Sequence, residues 1–165
     1  MSTASKNIGT DTNLTITNLN SLASSQTAGW KSSRIDNTSE KALDYEVVVK
    51  LDMANTAPAN DKMVYVYVSP AYYDGSTWYQ TDGGTATLPD GSEGTYTIAN
   101  PNNLRLLGVL AYTTADMVMQ GVFSVCAALG FVPDGFQIII INYTGASIAS
   151  SGNLVSYKPI KEDIA

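Results

Sequence analysis

Phe136-Gln137-Ile138-Ile139-Ile140-Ile141-Asn142-Tyr143 is the stretch that decides the fold. Pro133-Asp134-Gly135 stands before it and Thr144-Gly145 after it, so turn chemistry bounds a run of β-branched and aromatic residues. Such a run reads as a strand. Successive side chains on a strand point to opposite faces. Phe136, Ile138 and Ile140 therefore form one row, and Ile139, Ile141 and Tyr143 the other. A strand with one solvated face would carry a polar row. Here both rows are apolar and both need a cover. One cover is the core of the domain. The other is a second layer of this chain or another protein.

The flanking sequence repeats the strand signal. Leu43 to Met53 alternates most cleanly: Leu43, Tyr45, Val47, Val49, Leu51 and Met53 form an apolar row, with Asp44, Glu46, Val48, Lys50 and Asp52 on a wet one. That is a half-buried strand of an antiparallel sheet. Met63 to Ser69 and Leu104 to Tyr112 are strands with two apolar faces, and Pro70 ends the first or marks an edge. Leu14 to Leu19, Trp30 to Asp36, Thr95 to Ile98 and Leu154 to Ile160 are shorter candidates. In Met117 to Leu129 a helix competes, but Gly121 and the Val122-Phe123-Ser124-Val125 core favour a strand. The expectation is an all-β, antiparallel sandwich of about eight to ten strands. One domain covers 14–165, and the polar residues 1–13 form an extended N-terminal arm, flexible when alone.

Composition narrows the function. Hydrophobic residues make up 44% and charged residues 15% of the 165, which excludes a disordered chain. The net charge is -6, and the nine Lys and Arg do not cluster, so neither nucleic acid nor an anionic membrane is an expected partner. No apolar run approaches the ~20 residues of a membrane span. The N-terminus lacks the apolar core of a signal peptide, which places synthesis and folding in a reducing cytoplasm. Cys126 is the one cysteine; it reads as a small buried hydrophobe, and no intrachain disulfide can form.

Without histidine, the Ser-His-Asp and Cys-His mechanisms and His-ligated metals are unavailable. Asp44, Glu46 and Asp52 share one strand face, but Lys50 lies among them and the face reads as solvated. The Asp-Gly pairs at 74, 82, 90 and 134 lack calcium-loop spacing and read as turns. The expectation is no enzyme, no cofactor and no metal. Tyr72, Tyr73, Trp78 and Tyr79 give the best binding signal, at the start of a long loop-rich excursion from 74 to 94. They suit a protein hot spot or sugar stacking, or they plug one end of the sandwich.

Several segments together resemble a family of tailed-phage virion proteins. They are Leu22-Ala23-Ser24-Ser25 with Ser33-Arg34-Ile35-Asp36-Asn37-Thr38, then Asp44-Tyr45-Glu46-Val47-Val48-Val49-Lys50-Leu51. Pro58-Ala59-Asn60-Asp61-Lys62 with Val64-Tyr65-Val66-Tyr67 follows, then Asn103-Leu104-Arg105-Leu106-Leu107-Gly108. The last are Pro133-Asp134-Gly135-Phe136, the Ile-rich strand through Ala146, and Ser150-Ser151-Gly152-Asn153. The resemblance spans roughly residues 20 to 160 and departs at the Gly-rich stretch 83–94. It implies a jelly-roll-like β-sandwich on the virion surface: a capsid decoration, or cement, protein whose partner is the major capsid protein or another virion protein. The alternative is a carbohydrate- or receptor-binding sandwich of a head fibre or tail. On the first reading Ile8, Leu14, Ile16 and Leu19 are candidate arm anchors, unless Leu14 to Leu19 is an ordinary first strand. The strands with two apolar faces suggest a homotrimer.

Overall fold

The computed structural model describes residues 4–80, 91–97 and 104–164. The turns expected at 82–84, 89–90 and 100–103 lie outside them. The described residues form strands β1 (Ala4–Ile8), β2 (Thr12–Asn13), β3 (Ala28–Lys31), β4 (Ile35–Asp36), β5 (Asp44–Asp52), β6 (Met63–Tyr73), β7 (Trp78–Gln80), β8 (Gly94–Thr97), β9 (Arg105–Ala111), β10 (Val118–Ser124), β11 (Gly135–Tyr143) and β12 (Leu154–Ile164). One short helix, α1 (Val125–Leu129), follows β10.

The strands make two antiparallel sheets packed as a sandwich. One has the order β1-β12-β5-β10, with β2 also on β12. The other has the order β7-β6-β11-β3-β8, with β4 on β11 and β9 on β6. The expected antiparallel β-sandwich is the observed architecture. Its core joins the inward rows of both sheets: Tyr45, Val47, Val49 and Leu51 of β5 meet Phe136, Ile138 and Ile140 of β11 and Val64, Val66 and Val68 of β6. Each such side chain contributes about 1.5–3 kcal/mol. The Tyr45 ring meets Phe136 edge-on at 5.0 Å.

The Ile-rich strand lies at the centre of its sheet, and its second cover is this chain's own. Ile139 and Ile141 pack with Tyr96 and Leu104, flanked by Tyr65 and Tyr67. Ile139 and Ile141 are therefore buried without a sister subunit, which removes that part of the reason for inferring a trimer, while Met63, Tyr65, Tyr67 and Tyr143 stay partly exposed. On β9 the apolar excess stays open: Leu106 is 51% and Val109 41% exposed.

Other local readings change. Residues 14–19 are not a strand. The N–H groups of Leu19 and Asn20 both donate to Ile16 O at 3.1 Å. In a strand Leu19 would face away from Leu14 and Ile16; the turn swings it into the core, where it is fully buried. Part of the arm is a strand: β1 lies on β12 from Ala4 opposite Ile164 to Ile8 opposite Ile160. The physical reason is the free edge of β12, whose backbone groups need partners. Leu43 lies outside β5 and is 52% exposed, although Met53 is buried as expected. Strand β6 runs through Pro70, which falls between the stretch paired with β9 (Met63–Val68) and the stretch paired with β7 (Ala71–Tyr73).

The segment 117–129 is strand and helix in succession. Ser124 caps α1 by accepting from the N–H of Ala127 at 3.0 Å. Gly130 ends the helix at φ 78°, and its N–H donates to Cys126 O at 2.8 Å. Asp44 reaches across from β5, accepting from the N–H of Cys126 at 2.8 Å and from Ser124 Oγ at 2.6 Å. Partial burial pushes the Asp44 carboxyl up, but the hydrogen bonds from Ser124, Cys126 and Tyr45 outweigh it and hold it below its ordinary value of 3.8. Asp44→Ala is expected to cost about 1–2 kcal/mol at neutral pH. The carboxyl is depressed in the folded state, so its contribution is complete above the ordinary value of 3.8 and is lost as pH falls through the lower, folded one. Urea denaturation should show the same gap between wild type and variant near pH 7 and near pH 5, and a smaller one near pH 3.

Candidate docking surface

The aromatic cluster singled out in the sequence is a β-hairpin. Strand β6 turns into β7 through Asp74-Gly75-Ser76-Thr77, with Tyr72 opposite Tyr79 and Tyr73 opposite Trp78. Asp74 builds the turn: its Oδ1 accepts from the N–H of Ser76 at 2.9 Å and of Thr77 at 2.7 Å. Those two N–H groups hold the Asp74 carboxyl below the ordinary range. Gly75 takes φ 101°, which glycine adopts without a Cβ clash. Tyr79 Oη donates to Asp74 Oδ2 at 3.1 Å, and this bond to a carboxylate raises the Tyr79 phenol.

Alternation along the hairpin separates two aromatic pairs. Tyr73 and Trp78 share one face, with ring centroids 4.8 Å apart. The Arg34 guanidinium lies 4.7 Å from the Trp78 ring centre. A Cβ at Gly135 would come within 2.8 Å of that ring, so glycine is what lets β11 pass beneath it. This pair is half-buried and fastens the hairpin to the sandwich. Tyr72 and Tyr79 form the other pair, 6.2 Å apart and turned outward.

The outward pair is one wall of an open groove of about 380 Å³. Phe131, Val132, Pro133 and Asp134 form the facing wall, and Pro70 and Ala71 lie at the base. Tyr72 is 61%, Tyr79 46%, Phe131 53% and Val132 48% exposed, so four large apolar side chains face solvent around one groove. Both walls are fixed by buried or backbone groups. Asp134 Oδ2 accepts from the N–H of Tyr73 at 3.1 Å. Asn37 Nδ2 donates to Pro133 O at 3.2 Å and to Ala42 O at 3.0 Å. Asn37 Oδ1 accepts from the N–H of Ala42 at 2.7 Å and from Tyr45 Oη at 2.8 Å.

The arm residues divide differently. Ile8 is 54% exposed on β1. Leu14 and Ile16 are half-buried against the core, and Leu19 belongs to it, so Leu19 has no surface to offer a partner. Strand direction places β1 and the groove at one pole. The first residue of β5, Asp44, is opposite Ile160 of β12, and β12 continues past it as a two-stranded ribbon with β1. The same pole holds α1, the start of β11 and the β6–β7 hairpin.

Sequence reading did not find Phe131 and Val132. Their one signal is an apolar pair held between Gly130 and Pro133, too short to bury itself as an element. Among the described residues no group of three or more Cys, Asp or Glu is placed to hold a metal ion. Partial burial pushes the Cys126 thiol up to about 12, helped by the Asp44 carboxylate, which disfavours the thiolate. No protein-family model matches the chain, and no curated protein matches it.

Proposed function

We propose that this chain is a structural virion protein, a capsid decoration protein that binds an assembled phage head lattice and stabilises it. The observation that carries the proposal is the groove walled by Tyr72, Tyr79, Phe131 and Val132, at the same end of the sandwich as the β1–β12 ribbon. The virion assignment itself rests on the sequence segments quoted above. A groove with fixed walls loses little conformational entropy on docking, and exposed aromatics are the usual anchors of protein interfaces. Many weak copies on one lattice gain from one another through avidity. The bound surface is the major capsid protein or another virion protein, and the mechanism is mechanical: rigid sandwiches tie neighbouring capsomers together.

The double variant Tyr72→Ala with Tyr79→Ala tests this. Each anchor removed is expected to weaken binding by about 2 kcal/mol, roughly thirtyfold, in co-sedimentation with empty capsids. Wild-type retention by the double variant, with its melting curve unchanged, would sink the assignment of this groove.

A second reading, a carbohydrate- or receptor-binding sandwich, is favoured by one detail. Two outward tyrosines with carboxylates of Asp74 and Asp134 at their sides match the aromatic-plus-acceptor chemistry of sugar sites. Glycan-array binding lost in Tyr79→Ala, without capsid binding, would select it.

A further inference from the structure

The outer face of the second sheet is covered only in part. Strand β6 turns Val64, Val66 and Val68 inward, so Met63, Tyr65 and Tyr67 point outward. Strand β11 sets Ile141 opposite Tyr65 and Tyr143 opposite Met63 on the same face. Tyr96 and Leu104 cover Ile139 and Ile141, but Tyr65, Tyr67 and Tyr143 stay half-buried around an open recess of about 280 Å³ completed by Gln26 and Asp61. The Tyr65 and Tyr67 rings stand 26° from parallel, with centroids 6.3 Å apart. Val109, 41% exposed, is opposite Tyr65 and extends the apolar rim.

The walls are fixed. Asp61 stands between Asn60 and Lys62, both in the left-handed region at φ 52° and 61°, which non-glycine residues hold only where their surroundings enforce it. Its Oδ2 accepts from Tyr65 Oη, and its Oδ1 from the N–H of Met63 at 3.3 Å. The N–H of Ala59 ties this loop to Thr144 O at 2.7 Å, and the N–H of Ser25 ties the loop of Gln26 to Asn142 O at 2.7 Å. Both walls therefore hang from the end of one strand.

The lining says what fits. Tyrosine offers a ring face to C–H groups and a hydroxyl that both donates and accepts. Among the described residues, the hydroxyls of Tyr67 and Tyr143 and the amide of Gln26 make no hydrogen bond within the protein. A ligand with an apolar ring face and a rim of hydroxyls matches both halves of this surface, and a sugar ring is such a ligand. Charge narrows the class. Asp61 is the one charged group among the described residues lining the recess. Lys62 and Lys31, the latter opposite Ile139, border the face without lining it, and Arg105 is opposite the inward Val68. With a carboxylate in the wall and a net charge of -6, acidic sugars are repelled.

We propose that this recess binds a neutral saccharide: a sugar ring stacks on Tyr65 and Tyr67, and its hydroxyls bond to Asp61, Gln26 and Tyr143. Tyr65 and Tyr72 are roughly 20 Å apart along β6. The recess and the groove are therefore separate sites, and the proposal stands whatever the groove holds.

NMR titration of the full chain tests it, with the methyl glycosides of glucose, galactose, mannose and N-acetylglucosamine as probes and sialic acid as the acidic control. At least one neutral glycoside is expected to shift the amides of 26, 61–67 and 141–143 saturably, with a Kd of about 1 mM or below. This mapping on wild type is free of any folding defect. Tyr65→Ala removes a ring outside the sandwich core and is expected to weaken binding at least about tenfold, with the melting curve little changed. Tyr79→Ala, at the groove, is expected to leave it unchanged. No shift from any of the four neutral probes overturns the proposal. So do shifts that Tyr65→Ala leaves intact, shifts that map to Tyr72 and Tyr79 instead, or sialic acid bound in the recess as tightly. Hydrogen exchange in which empty capsids, and no glycoside, protect 61–67 would assign the face to a protein and overturn it too.

Discussion

Asn37→Ala is expected to lower the melting temperature by about 10 °C, although it removes no apolar side chain. Asn37 is 6% exposed and uses its whole amide: two donors to Ala42 O and Pro133 O, and one oxygen shared by the Ala42 N–H and the Tyr45 hydroxyl. Alanine leaves four partners without it. A buried polar group left unpaired costs about 1–3 kcal/mol. Water entering the gap recovers part of that, so the total is about 3–4 kcal/mol. Asn37→Asp is the informative companion. It keeps the oxygen that accepts from Ala42 and Tyr45 but sets a second oxygen against two carbonyls, so it should remain destabilising by a similar amount. Differential scanning calorimetry decides; a shift below about 3 °C in either variant would show that the bonds are replaceable. On the proposed function, binding through the groove should weaken too, because Asn37 holds its Phe131–Asp134 wall.

Trp30→Ala is expected to cost about 3–5 kcal/mol. Trp30 is fully buried in β3 between β11 and β8. Its Nε1 donates to Glu93 Oε1 at 2.7 Å. The same carboxylate accepts from the Asn18 N–H at 2.8 Å and from Asn18 Nδ2 at 2.7 Å. The indole therefore fills the core and also fastens residue 93, just before β8, to the turn at 16–20. Trp30→Phe separates the two roles. It keeps most of the apolar volume and loses the charge-assisted bond, worth about 1.5–3 kcal/mol. Its urea midpoint should fall between wild type and alanine, with faster amide exchange at 94–97. A phenylalanine variant as stable as wild type would refute the fastening role.

How much was legible in the sequence follows from how local each cause is. The alternation of Leu43 to Met53 and the run Phe136 to Tyr143 are properties of consecutive residues, and both strands stand where the pattern put them except for Leu43, exposed ahead of β5. The helix α1 is only five residues long, set by Ser124, Asp44 and Gly130, and leaves no periodic trace. The second cover of Ile139 and Ile141 comes from Tyr96 and Leu104, far away in sequence, so pattern alone showed the need for a cover and not its source. At the groove, the hairpin aromatics were visible as a cluster. Only the register showed that Tyr73 and Trp78 face inward while Tyr72 and Tyr79 face outward. The opposite wall depends on tertiary contacts of Asn37 and Asp134.

The β1–β12 ribbon has a practical consequence for anyone handling this protein. Ala4 lies directly opposite Ile164, so the first and last described residues stand side by side. A tag or fused cargo at either end emerges from one corner, at the same end of the sandwich as the Tyr72–Tyr79 groove. Immobilisation through the Ala54–Asn60 loop, next to Met53 at the far end of β5, presents the molecule the other way round. That adjacency also makes the chain a natural candidate for head-to-tail joining, with a new opening cut in that same loop.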